Sequence, residues 1–173
     1  MENWSPDCER ALNKQIGLEY EASLQYHFLW SHFDRDHVAL PHVANYFLKE
    51  SEEERDHAHS MMEYQNLRGG TVTLECIGSC TVPTSFVPSS NRRSQDVLDA
   101  FNLMLTMEQS VYTALLGLRE LAEKENDVHF SDYISKFLDE QLKSQNKIAK
   151  YIAQLSRIGD SGTGMLDFDA RLK

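Results

Sequence analysis

Cysteine, proline, basic charge and long apolar runs are all scarce in this chain, and each scarcity removes a class of protein. Of 173 residues only three are cysteine, Cys8, Cys76 and Cys80. That number is odd and too small for a disulfide framework, and no second cysteine pair exists to complete a zinc site. The four prolines are Pro6, Pro41, Pro83 and Pro88, so nothing after residue 88 forbids long helices. No stretch approaches the roughly 18 apolar residues of a membrane span. Lys and Arg together number 17 against 27 Asp and Glu, a formal charge of −10. That balance excludes a nucleic-acid backbone as a natural partner and suits the binding of cations. The opening MENWSPDCER is acidic and lacks the basic start and apolar run of a signal peptide, so the expected location is cytoplasmic. What is present is a 41% share of hydrophobic residues, enough for one core and one domain over residues 1–173.

Punctuation divides the chain into helices. Ser5-Pro6-Asp7 combines an N-cap, a first-turn proline and an acid favoured by the helix dipole, and so starts a first helix. A short polar link from His32 to Leu40 leads to Pro41, which fits the first turn of a second helix, and Arg68-Gly69-Gly70 stops it. From Gly69 to about Arg93 the sequence mixes β-branched residues with Gly, Pro and Ser and has no helical period. Ser94 opens a third helix to about Lys124, Glu125-Asn126-Asp127 breaks it, and a fourth spans about Val128 to Ile158. A short fifth segment covers Met165 to Leu172. Short links make helices 1 and 2, and helices 3 and 4, antiparallel pairs. The middle link of about 25 residues could extend about 80 Å, ample to run along a helix of about 40 Å. The expected fold is all-α, a four-helix bundle with one long crossover between helices 2 and 3.

The seams that would face the bundle core are interrupted by polar residues. The first reads Leu12, Ile16, Glu19, Ser23, Tyr26, Trp30, Phe33, and the second Val43, Phe47, Glu50, Glu54, His57, Met61, Tyr64. The third has Glu108 as its one polar member between Met104 and Val111. The fourth carries Gln141 and Ser144 between Phe137 and Ile148. A buried unpaired carboxylate costs several kcal/mol, and several together would exceed the ~5–15 kcal/mol net stability of a domain. No Lys or Arg lies on any seam, so a bound cation is the cheapest compensation. Carboxylates with one imidazole suit iron or manganese, with zinc also open. Glu54 and His57, three apart, share a helix face and can hold one ion, and Glu19 and Glu108 can add ligands from either side. A metal-free helical signalling bundle is the competing reading; it would have to bury acids uncompensated on three seams.

The segments LEYEASLQYHFL, DRDHVALPHVANYFLKESEEERDHA, QNLRGG and FLDEQL resemble the ferritin family, specifically its iron-oxidising heavy-type subunit, over about residues 8 to 160. The resemblance implies a ferritin-like bundle with one long crossover and a short C-terminal fifth helix. It also implies a 24-subunit homo-oligomeric cage that takes ferrous iron and dioxygen as substrates and stores ferric oxyhydroxide mineral, with two irons per subunit at the oxidation site. Its first iron position matches Glu19, Glu54 and His57, with Glu54 bridging; its second matches Glu108, supported by Gln141. The neighbouring family tyrosine matches Tyr26. Glu50 is an auxiliary candidate, Glu53 and Asp56 match acidic mineral-nucleation positions, where His59 departs from the pattern, and Asp132 matches one carboxylate of the threefold entry pore. The fourth helix is one residue short between Asp132 and Gln141, so the pore's usual glutamate has no counterpart, and the loop carrying Cys76 and Cys80, read as reduced thiols, is longer than usual. An alternative within the family is a storage or structural subunit with weak oxidation of its own, dependent on partner subunits.

Overall fold

Helix starts in this chain coincide with side-chain oxygens that accept the first orphaned backbone N–H groups. In the computed structural model, which describes residues 4–74, 86, 93–159 and 161–172, Ser5 accepts from Asp7 N and opens α1 (Pro6–Phe33). Asp127 accepts from Phe130 N and opens α4 (Val128–Ile158), and Ser161 accepts from Gly164 N and opens α5 (Gly162–Arg171). That last cap begins α5 three residues before the expected Met165, because Ser161 stabilises a first turn that Gly162 and Gly164 alone would not favour. Helix α3 (Arg93–Lys124) begins one residue before Ser94.

Helix α2 (Pro41–Leu67) differs from α1, α4 and α5, since its N-cap Leu40 has no side-chain acceptor. Asp169 of α5 takes that role across the chain: its Oδ1 accepts from His42 N at 3.1 Å and Val43 N at 2.9 Å, and its Oδ2 lies 3.0 Å from His42 Nδ1. The bond that starts α2 therefore also docks α5. At the far end of α2, a Cβ at Gly70 would lie 2.6 Å from Trp4 Nε1, so only glycine allows the N-terminal tryptophan to close over this corner.

Helices α1 and α2 pack as one pair and α3 and α4 as another, α1 also meets α3, and α5 rests on α2 and α4. Phe86 of the crossover is buried with its ring 5.3 Å from that of His32 and 6.3 Å from that of Phe33. The crossover thus reaches the end of α1 where Val97 and Phe101 of α3 enter the core. Cys76 and Cys80 lie outside the described residues.

The apolar core comes in two pieces. One gathers Tyr26, Phe33, Phe47, Phe101, Met104 and Ile148, and the other Leu12, Ile16, Met61, Leu115, Phe130 and Ile134. Buried polar residues lie along the helices between the two pieces: Glu19 and Ser23, Glu50 and Glu54, Glu108, and Gln141. No described helix is long and apolar enough to cross a membrane.

Candidate metal centre

Each of the four long helices delivers a polar side chain to the gap between the core pieces. Glu19 comes from α1, Glu50, Glu54 and His57 from α2, Glu108 from α3 and Gln141 from α4. Glu19 retains 1% of its surface, Glu108 2%, and Glu54 and Gln141 4% each, so bulk water does not solvate these groups. One ligand-capable atom from each of Glu19, Glu54 and His57 lies within 4.8 Å of the others. A cavity of about 20 Å³ opens beside them, lined by Glu50, Glu53, Glu54, His57, Glu108, Glu140, Gln141 and Ser144.

Neighbouring residues hold the acids in place. Gln15 Nε2 donates to Glu19 Oε1 at 2.7 Å, and Tyr26 donates its hydroxyl to Glu108 Oε1. His57 sets its Nδ1 3.2 Å from Glu54 Oε2 and its Nε2 3.4 Å from Glu140 Oε2. Among the described residues Glu19 Oε2 and Gln141 Oε1 are buried with no donor. Glu19 lies against the Glu54 carboxyl, acceptor against acceptor, so a proton or a cation is needed between those two.

Electrostatics states the same requirement. Burial, reinforced by the Glu54 charge, pushes the Glu19 carboxyl well above the usual carboxylate range. Burial and the Glu108 charge push Glu54 up to about 8. Glu108 is raised by burial, against the lowering effect of its bonds from Tyr26 and Gln141. Burial takes Glu50 up to about 7, although Lys147 Nζ donates to its Oε1 at 3.5 Å. That lysine thus compensates Glu50, where the expectation was that a bound cation is the cheapest compensation for these acids. It lies off the seam of α4 and its long stem reaches Glu50. Among the described residues Glu19, Glu54 and Glu108 have no such lysine or arginine, and a carboxylate-rich set with one imidazole and an amide oxygen is the donor chemistry of hard to borderline divalent ions.

Other residues singled out from the sequence lie farther out. Glu53 is exposed at the cavity rim, Asp56 and His59 are exposed on α2, with His59 Nε2 3.4 Å from Glu63 Oε1, and Asp132 is exposed on α4. Sequence reasoning missed Gln15, Glu140 and Lys147. Gln15 had a usable signal, since it stands one turn before Glu19 on the same face.

A model of the ferritin-like domain matches residues 9–158. The chain belongs to the ferritin family. Among its relatives, a chloroplastic ferritin of Malus baccata var. xiaojinensis is 45% identical over 172 residues, covering 99% of this chain and 66% of that protein. Ferritin-1, chloroplastic, of Nicotiana tabacum is 44% identical with the same coverage. Ferritin-3, chloroplastic, of Arabidopsis thaliana is 44% identical over 170 residues, 98% of this chain and 63% of that protein. The chain thus spans just under two thirds of the length of these curated ferritins.

Proposed function

We propose that this chain stores iron and oxidises it on entry, as a heavy-type subunit of a 24-subunit ferritin cage. The observation that carries the reading is the convergence of Glu19, Glu54 and His57, with a buried Glu19 oxygen that has no protein donor, inside a ferritin bundle. Ferrous iron is the substrate. Glu19 and His57 hold a first ion, Glu54 bridges, and Glu108 with Gln141 holds a second less firmly. Each ferrous ion gives one electron to dioxygen, and ferric product moves to the cage interior.

The chain's own residues set the geometry. Gln15 fixes one oxygen of Glu19 and leaves the other for metal. Tyr26 orients Glu108. Protons on the raised carboxyls leave as metal arrives, so uptake releases acid. The weaker second position suits turnover, because product iron must depart. Glu53 and Asp56 serve mineral nucleation and Asp132 serves entry, each as an exposed acid. The relatives' names favour a plastid over the cytoplasm expected from the sequence.

Oxygen consumption on adding ferrous iron to the apo-protein tests the enzyme reading, and the mass of the native particle tests the cage. Rapid oxidation by a particle of about 24 subunits supports both. Oxidation no faster than in buffer, with iron still retained, would favour a storage subunit that relies on partners.

A further inference from the structure

Tyr64 of α2 and Tyr133 of α4 stack with ring centroids 3.9 Å apart and planes 10° from parallel. Tyr133 meets Phe137 edge-on at 5.2 Å, and Phe137 meets His57 edge-on at 5.4 Å. Aromatic contact is therefore continuous from a ligand of the candidate metal centre to a residue near the end of α2. Packing alone would be served by phenylalanine at both tyrosine positions. Instead both hydroxyls are placed: that of Tyr133 lies 3.1 Å from Ser60 Oγ, and that of Tyr64 accepts from Arg68 Nη1 at 2.8 Å and lies 2.9 Å from His129 Nδ1. Arginine can only donate, and in the tautomer that leaves His129 Nδ1 unprotonated the phenol hydrogen of Tyr64 is donated to that nitrogen. Tyr64 is 3% exposed while His129 is exposed, which gives a proton leaving the phenol a way to water.

A phenol that loses an electron also sheds its proton, and a base already in hydrogen bond makes the product a neutral radical. Trp4, whose ring is 6.0 Å from Tyr64, is the nearby competitor. The Arg68 guanidinium lies 4.4 Å above the Trp4 ring, so an indole radical cation there would face a positive charge. A neutral tyrosyl radical carries no net charge to be repelled, although the same guanidinium lies 5.7 Å from the Tyr64 ring and donates to its oxygen. What favours Tyr64 over Trp4 as the place where an electron vacancy settles is the base: His129 Nδ1 can take the phenol proton, whereas Trp4 Nε1 donates at 3.0 Å to the weakly basic amide oxygen of Gln65.

We propose that Tyr64, with His129 as its proton acceptor, is the terminus of an electron relay running through Tyr133 and Phe137 to the His57 side of the metal centre. The proposal rests on the iron-oxidation reading. Tyr64 gives one electron, by way of Tyr133, to a dioxygen-derived oxidant at the centre, which is reduced by that one electron. The phenol O–H bond breaks and its proton passes to His129 Nδ1, leaving a neutral tyrosyl radical and an imidazolium that later releases the proton to water. A soluble one-electron donor of the ascorbate class then returns an electron, and water a proton, to restore the phenol. The relay serves a centre that has bound one ferrous ion where two are needed, since dioxygen reduction there stops one electron short.

Two experiments on the full chain separate the relay from the iron reading. In the first, the protein with ring-deuterated tyrosine is mixed with substoichiometric ferrous iron and dioxygen, freeze-quenched and examined by electron paramagnetic resonance. In the second, the apo-protein is oxidised by photogenerated ruthenium(III) tris-bipyridine. The relay predicts a tyrosyl signal in both that is lost in Tyr64→Phe and diminished in His129→Gln, and that persists under photo-oxidation in Tyr26→Phe, with helical circular dichroism retained in all three. A signal that survives Tyr64→Phe in the iron experiment, or that Tyr26→Phe removes under photo-oxidation, overturns the relay. A Tyr64 signal under photo-oxidation in a protein that does not oxidise iron overturns the iron reading and supports Tyr64 with His129 as the terminus.

Discussion

Replacing Glu54 by glutamine should stabilise the apo-protein at high pH and leave it nearly unchanged at low pH. Glu54 is 4% exposed, with its carboxyl pushed up to about 8 from an ordinary 4.5 by burial and by the Glu108 charge. Because the folded-state value lies above the unfolded one, the native state holds the proton longer. The stability from that proton is fully present below pH 4.5 and is lost as pH rises through about 8. The interval between 4.5 and about 8 is worth about 5 kcal/mol at its ceiling. A chain of this size shifts its melting temperature by about 2–4 °C per kcal/mol. Glutamine keeps the shape and never ionises, so Glu54→Gln should melt about 10 °C or more above wild type at pH 9. The gap should close near pH 5. Calorimetry of both proteins with chelator, at several pH values, reads this directly. Adding zinc, which has no redox chemistry, should reverse the order by stabilising wild type more than the variant. A gap independent of pH, or a variant that melts lower at pH 9, would refute the picture of an ion-seeking buried carboxylate.

Other perturbations test separate parts of the molecule. Asp169→Ala removes the cap of α2 and should cost about 1 kcal/mol, read as a lower melting temperature, whereas Asp167→Ala, which loses an exposed bond to Arg171, should change it little. Tyr26→Phe frees Glu108 and should slow ferrous oxidation in stopped-flow without unfolding the bundle; an unchanged rate would mean Glu108 needs no orienting partner. Asp132→Ala should slow iron delivery and flatten its dependence on salt; identical rates and salt slopes would send iron through another route.

The helices were legible because their boundaries are local. Ser5, Pro41, Asp127 and the Gly69-Gly70 pair each act on the adjacent turn, and the observed ends lie at or within a few residues of the expected ones. The interrupted seams were legible for a related reason: a 3-4 repeat fixes which residues face inward, and Glu19, Glu54, Glu108 and Gln141 are indeed buried. Contacts made across the chain left no such trace. Asp169 caps a helix that begins 128 residues earlier in the sequence, at Pro41 (169 − 41), and no local pattern at Leu40 signals its arrival. Lys147 reaches Glu50 from outside the seam, because a flexible four-carbon stem obeys no helical period. The same holds for the pairing of Tyr64 with His129, which the sequence separates by 65 positions.

In the proposed function Glu54 and His57 hold the iron that reacts. Ferrous oxidation by the double variant Glu54→Ala with His57→Ala, followed as initial oxygen uptake beside wild type, tests it most directly. The expected result is loss of the rapid phase with helical circular dichroism and particle mass unchanged. An undiminished initial rate in the folded double variant would place the chemistry elsewhere in the chain.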